Sequence, residues 1–193
     1  MTSPILVDFS LPINTPRLIL RQPVMGYTDS DHYTQAVKES LPELKPWVAW
    51  AYYNPTLLQS EAYVRRCCAN WILKSDNDIG LTLWIIEKTT NTFIGNIQMW
   101  NIDWYTGKYE FGFWLRTSHT GKGYITEATN ALARYCFLQQ QAKRIIITCK
   151  PENIRSKMVP MRLNFNLAEE LHEDLLFFSC DSLDNLPALE VTW

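Results

Sequence analysis

Apolar and polar residues change their period several times along the chain, and each change marks an element. Residues 17–22 (RLILRQ) alternate and stop at Pro23, which predicts a first strand. Thr28 with Asp31 has the form of a capping pair ahead of Tyr33, Ala36 and Val37, so a short helix is expected there. Residues 41–54, with Pro42 and Pro46 inside and Pro55 at the boundary, read as an aromatic-rich connection. Thr56 and Gln59 form a better capping box. Leu57, Leu58, Ala62, Val64, Cys68, Ala69, Trp71 and Ile72 then supply one face of a long helix.

Residues 80–87 and 92–100 are apolar-rich runs on either side of a four-residue turn, the pattern of a β-hairpin. A third strand over 108–116 (KYEFGFWLR) extends this meander. Glu110, Gly112 and Trp114 fall on one of its faces, and Tyr109, Phe111, Phe113 and Leu115 on the other. A glycine loop leads into a helix over about 123–140. Residues 144–149 (RIIITC) form a continuous β-branched run, expected to be a strand buried on both faces. Residues 153–165 read as helical. The stretches LLFF and ALEVTW then suggest a final pair of strands. The fold class is α/β (α+β), an antiparallel meander feeding a strand–helix–strand unit, in one domain over residues 1–193.

Composition narrows this picture. Hydrophobic residues make up 47% of the 193, enough for a sizeable core and too many for a disordered chain. The formal net charge is -2 and no basic run occurs, which gives no reason to expect a nucleic-acid partner. No apolar run approaches the length of a membrane span, and the first residues lack a leader pattern, so a cytoplasmic setting away from membranes is expected. Cys67, Cys68, Cys136, Cys149 and Cys180 are odd in number and lack metal-ligand spacing. They read as small buried hydrophobes, with no metal. Trp47, Trp50, Tyr52 and Tyr53 cluster, either as core or as the wall of a pocket.

The sharpest chemical signal is FGFWLRTSHTGKGYITE at 111–127, in which a strand, a loop with Gly121 and Gly123, and a helix follow one another. Glycine admits positive φ and close ligand approach, and a helix N-terminus offers free N–H groups and partial positive charge to a phosphate. A phosphate loop of the nucleoside-triphosphatase kind would need a further upstream glycine and a Lys-Ser/Thr pair. A dinucleotide fingerprint would need glycine at position 126, which is threonine.

The segment WLRTSHTGKGYITEA resembles the pyrophosphate loop of the GNAT superfamily of N-acetyltransferases, most closely its RimJ/RimL branch, which acetylates ribosomal protein N-termini. INTPRLILR, LPELKPWVAWA and KPENIRSKMVPMRLNF resemble three further segments of that branch, in the same order, over residues 13–165. The resemblance implies a GNAT-like fold: a mixed, mostly antiparallel central sheet flanked by helices and splayed between its fourth and fifth strands. It also implies acetyl-CoA as cosubstrate and a primary amine as acceptor, with a monomer or homodimer left open.

Residue by residue, the loop amides of Thr120, Gly121, Lys122, Gly123, Tyr124 and Ile125 would hold the pyrophosphate. A main-chain N–H near Phe113, Trp114 and Leu115 would hold the thioester oxygen. Asn153 and Ser156 match the family's N-x-x-S spacing, Asn153 for the pantetheine amide and Ser156 as proton donor to the thiolate. Against this, Asn153 could be a plain helix cap. Glu110 is the first choice for base, with Glu173 and Asp174 as rivals, while His119 reads as a surface residue. Trp47, Trp50 and Tyr52 would bind the acceptor. Three positions depart from the family pattern: Ser118 stands where Gln or Arg is usual, Pro160 falls inside the cofactor helix, and Asn164 replaces a glycine. A protein N-terminus is the expected acceptor. A small amine such as a polyamine or an aminoglycoside-like drug, or a CoA-binding sensor without turnover, are the alternatives.

Overall fold

The computed structural model describes residues 4–74, 80–167 and 174–193. Eight strands form one sheet in the order β1-β2-β3-β4-β5-β6-β8-β7. They are β1 (Ile13–Asn14), β2 (Leu18–Arg21), β3 (Leu81–Glu87), β4 (Thr92–Asp103), β5 (Lys108–Leu115), β6 (Arg144–Cys149), β7 (Asn166–Leu167) and β8 (Leu176–Cys180). Every pairing is antiparallel except β5 with β6. The helices are α1 (Tyr27–Leu44), α2 (Leu57–Leu73), α3 (Tyr124–Gln139) and α4 (Ile154–Arg162).

Two cores sandwich the sheet. Alternate residues of β3 enter opposite ones: Leu81, Leu83 and Ile85 pack with α3, whereas Trp84 and Ile86 pack with Tyr33, Ala36 and Val37 of α1. β5 divides as its alternation predicts. Tyr109 and Phe111 lie in the α3 core, Phe113 and Leu115 pack against it, and Trp114 enters the α1 core. Each fully buried Leu or Ile of β3 stabilises the fold by roughly 1.5–3 kcal/mol.

Several elements differ from the expectation. α1 is long, not short. It runs through Pro42, and the Thr28/Asp31 pair does not cap it: Gly26 is the N-cap, without a side-chain bond. Asp29 instead pairs with Arg21 at 2.7 Å. The Thr56–Gln59 capping box is present, and a cap of this kind contributes about 1 kcal/mol. Yet Leu58 and Ile72 face solvent, because α2 buries a different stripe, Ser60, Val64, Cys67 and Trp71. Only one side of β6 is deeply buried, at Ile145, Ile147 and Cys149. Ile146 and Thr148 are half-buried on the other. ALEVTW makes no strand and is tied to β1 by one bridge, Asn14 with Thr192.

Candidate active site

The parallel pairing of β5 with β6 covers Lys108/Arg144, Tyr109/Ile145 and Glu110/Ile146, and then stops. Beyond Glu110 the two strands part, which is the splay expected between the fourth and fifth strands. A cavity of about 840 Å³ opens there. Its walls include Phe113 and Trp114 of β5, Thr148 and Cys149 of β6, Asn153 and Ser156 at the start of α4, and Trp47 and Trp50. Leu115 and Tyr52 are not among its wall residues. Tyr53 takes the place expected of Tyr52.

The glycine loop leaves the end of β5 on this side. Gly121 and Gly123 have φ of 77° and 78°, a region that costs any residue with a Cβ. A Cβ on Gly121 would meet nothing within 4 Å, so the space above the loop is open. Gly123 is the N-cap of α3, and the amides of Tyr124, Ile125 and Thr126 that follow have no intrahelical acceptor. Thr120 is different: its N–H already donates to Thr117 O at 3.1 Å, so this amide is not free for a ligand.

Bonds from distant parts of the chain brace the loop. From α1, Ser40 Oγ accepts from Thr117 N at 3.0 Å and Glu39 accepts from Ser118 N at 2.9 Å and from Arg116. From β2's entry, Arg17 pairs with Glu127 at 2.6 Å, donates to Lys122 O at 2.9 Å and lies over the Tyr124 ring. Tyr124 OH donates to Glu87. Burial works against ionisation of Glu39, but hydrogen bonds from Ser118 and Arg116 outweigh it and hold the carboxyl below its ordinary range. Hydrogen bonds from Thr90 and Tyr124 do the same for Glu87. His119 is half-buried, with its Nδ1 2.9 Å from Ser118 Oγ. Its pKa is lowered by desolvation first and by Lys122 second.

Glu110 lies at the last paired position before the splay and is only 6% exposed. Thr148 Oγ1 donates to its Oε1 at 2.7 Å and Asn101 Nδ2 to its Oε2 at 3.1 Å. Glu110 is not a wall residue of the cavity, whereas Thr148 is. Asn153 does cap α4: its side-chain oxygen accepts from Ser156 N at 3.2 Å. Burial pushes the Cys149 thiol up, partly offset by a hydrogen bond with the Ser156 side chain. Pro160 removes the bond that would reach back to the Ser156 carbonyl, and α4 ends two residues later, but the first turn keeps its cap. Asn164 adopts φ 57°, the left-handed geometry of the glycine it replaces. Asp174 is exposed, at φ 61°, and Glu173 lies outside the described residues.

Sequence reasoning missed Thr148, although it is the lone hydroxyl in the RIIITC run. It also missed Gln59, Tyr63 and Arg66, which reach the cavity from α2 at helical spacing. Thr126 was missed as well. Its hydroxyl, in the first turn of α3, is buried without a partner among the described residues. That orphaned donor, the open space over Gly121 and the unpaired first-turn amides together suit a polyanionic cosubstrate.

These features suit a CoA-dependent acyltransferase, and comparison with known proteins shows the family. The family model for the acetyltransferase (GNAT) domain matches residues 17–166, and the chain belongs to that family. It is an acetyl-CoA-dependent N-acetyltransferase. It is 24% identical to the ribosomal-protein-serine acetyltransferase of Escherichia coli (strain K12) over 138 residues, covering 72% of this chain and 76% of that protein. Two solved structures share the fold. RimL, the ribosomal L7/L12 alpha-N-protein acetyltransferase in complex with coenzyme A, superposes with a TM-score of 0.74 at 17% identity, over 88% of this chain and 96% of that one. Mycobacterium smegmatis RimJ in complex with CoA-disulfide gives 0.71 at 21%, over 92% and 88%. No helix among the described residues is long and apolar enough to cross a membrane.

Proposed function

We propose that the enzyme acetylates the free α-amine of a protein N-terminus in the cytoplasm. The observation that carries this reading is the character of the acceptor wall. It is an open cavity faced by the rings of Trp47, Trp50 and Tyr53 and by the neutral amides of Gln59, Asn96 and Gln98. Rings supply contact area at low entropic cost, and side-chain amides suit the alternating donors and acceptors of a peptide main chain. Relatives named for ribosomal proteins support the same choice.

In this reading the amides of Gly121, Lys122, Gly123, Tyr124 and Ile125, with the Thr126 hydroxyl, hold the cosubstrate's pyrophosphate. Bound acetyl-CoA supplies an activated acetyl thioester in the splay. A β5 main-chain N–H near Phe113 and Trp114 stabilises the developing oxyanion, a contribution of a few kcal/mol for such a donor. Glu110 acts as base through Thr148. The Thr148 hydroxyl donates to the carboxylate, which leaves its oxygen lone pairs for an N–H of the acceptor amine. An α-amine titrates near 7.7–8.0, against about 10.4 for lysine, so it asks little of this base. Asn153 orients the first turn of α4, and Ser156 gives a proton from Oγ to the departing thiolate.

A competition assay tests the acceptor. Short peptides beginning with Ser, Ala or Met are set against lysine side chains, spermidine and an aminoglycoside, with free thiol as the readout. Peptides are expected to be acetylated fastest. A polyamine or drug outpacing every peptide would reject the reading, as would peptides that release no thiol.

A further inference from the structure

The described wall residues of the cavity carry charge of one sign only. Among the described wall residues the charged ones are Arg66 and Lys150; no carboxylate joins them. Lys150 follows β6 on the wall with Asn153 and Ser156, where a polyanionic cosubstrate would share its charge. Arg66 lines the cavity from a different element. It belongs to α2, on the stripe formed with Gln59, Ser60 and Tyr63.

Arg66 shares the lack of an ion pair among the described residues with Arg134, Arg155 and Arg162, but of these four only Arg66 lines the cavity. Arg17, Arg21, Arg65, Arg116 and Arg144 each form an ion pair, with Glu127, Asp29, Glu61, Glu39 and Asp181. Arg65, one residue earlier on the same helix, uses Glu61 at 2.6 Å. Arg66 forms no such pair among the described residues. A guanidinium carries its charge at any physiological pH and presents a planar fork that matches a carboxylate in two bonds. Aimed at an acceptor cavity, it attracts an anionic group and repels a second ammonium.

We infer that the acceptor carries a carboxylate close to its reactive amine and that Arg66 selects it. The inference rests on the N-terminal reading above. For a protein acceptor the carboxylate is an Asp or Glu side chain at the second or third residue, since one residue of extended chain advances only about 3.3–3.6 Å. Arg66 is exposed, so solvent weakens the contact and its effect is graded discrimination, not an absolute requirement.

The test uses matched peptides of one length, Ser-Glu, Ser-Gln and Ser-Lys at the first two positions, with kcat/KM as the readout. Wild type is expected to favour Ser-Glu over Ser-Lys by roughly tenfold, the scale of a charge-assisted hydrogen bond partly screened by water. Arg66→Gln should bring that ratio toward one and Arg66→Glu should invert it, with Arg66→Lys in between. A wild-type ratio of one or less, or a ratio that Arg66→Gln and Arg66→Glu leave unmoved, overturns the inference even if peptides remain the preferred acceptors. A second arm compares aspartate with its dimethyl ester. If peptides are inert but aspartate is acetylated faster than the ester, and Arg66→Gln abolishes the difference, the N-terminal reading fails while selection by Arg66 stands.

Discussion

In the proposed reading the glycine loop serves the cosubstrate and the aromatic connection the acceptor, and the two are held in opposite ways. Residues 116–127 are tied to α1, to Arg17 and to Glu87 by bonds between residues far apart in the chain. Residues 45–55 are held chiefly by their own turns, such as Val48 N to Leu44 O and Ala51 N to Val48 O, with Trp50 meeting Trp114 edge-on at 6.0 Å. Trp50 is 49% exposed and Tyr53 84%. On the proposed function the difference follows from two tasks. A pyrophosphate needs N–H groups already pointing at it, so the loop must be set before binding. An acceptor chain needs contact area, which rings on a lightly tied segment can provide.

The largest effects should come from the chemistry between the two regions. Ser156→Ala is expected to lower kcat by about 10–10³-fold with little change in KM for acetyl-CoA, because a proton donor acts chiefly in the transition state. Wild-type turnover in steady-state kinetics would remove Ser156 from its role. Thr148→Val and Glu110→Gln should each reduce kcat/KM for a peptide by about 10²-fold, and the double variant should lose little more than either alone. Independent, multiplying losses would break the relay.

Smaller effects separate the walls. Trp50→Ala should raise KM for a peptide acceptor by about tenfold, a loss typical of a truncated aromatic anchor. A change in peptide KM below about twofold would move acceptor binding elsewhere. Glu39 offers the mildest probe. Its folded pKa lies below its ordinary 4.5, so its bonds to Ser118 and Arg116 are intact above that pH. They are lost as pH falls through the depressed value. Acetyl-CoA affinity should therefore hold down to pH 4.5 and weaken as pH falls below it, whereas Glu39→Gln should show an affinity about two- to threefold weaker already at neutral pH, the effect of one exposed ion pair. Equal affinities for the variant and wild type would leave Glu39 without a part in bracing the loop.

The local geometry of the segments proposed to hold the cofactor was legible in sequence. Gly121 and Gly123 sit between a strand and a helix, Asn153 and Ser156 lie one turn apart, and Asn164 stands where a left-handed residue is needed. What escaped depends on distant pairing. Glu110 looks like a wall carboxylate in sequence, and only its parallel pairing with Ile146 puts Thr148 between it and the cavity. The Arg17 brace joins residues more than 100 positions apart. α1 runs past its expected end through Pro42, although that residue lacks the N–H that would reach back to the Lys38 carbonyl, and ALEVTW makes one bridge, to the two-residue β1.

The division of labour between loop and connection is the central claim, and calorimetric titration with acetyl-CoA tests it most directly. Gly123→Val places a β-branched residue at φ 78°, a strain of order 1–3 kcal/mol in the loop itself. Far-ultraviolet circular dichroism should stay native while acetyl-CoA affinity falls on the order of 10²-fold, through misdirected N–H groups. Trp50→Ala should keep the wild-type dissociation constant within about twofold. An unchanged affinity in a folded Gly123→Val protein, or an equal loss in Trp50→Ala, would contradict the account.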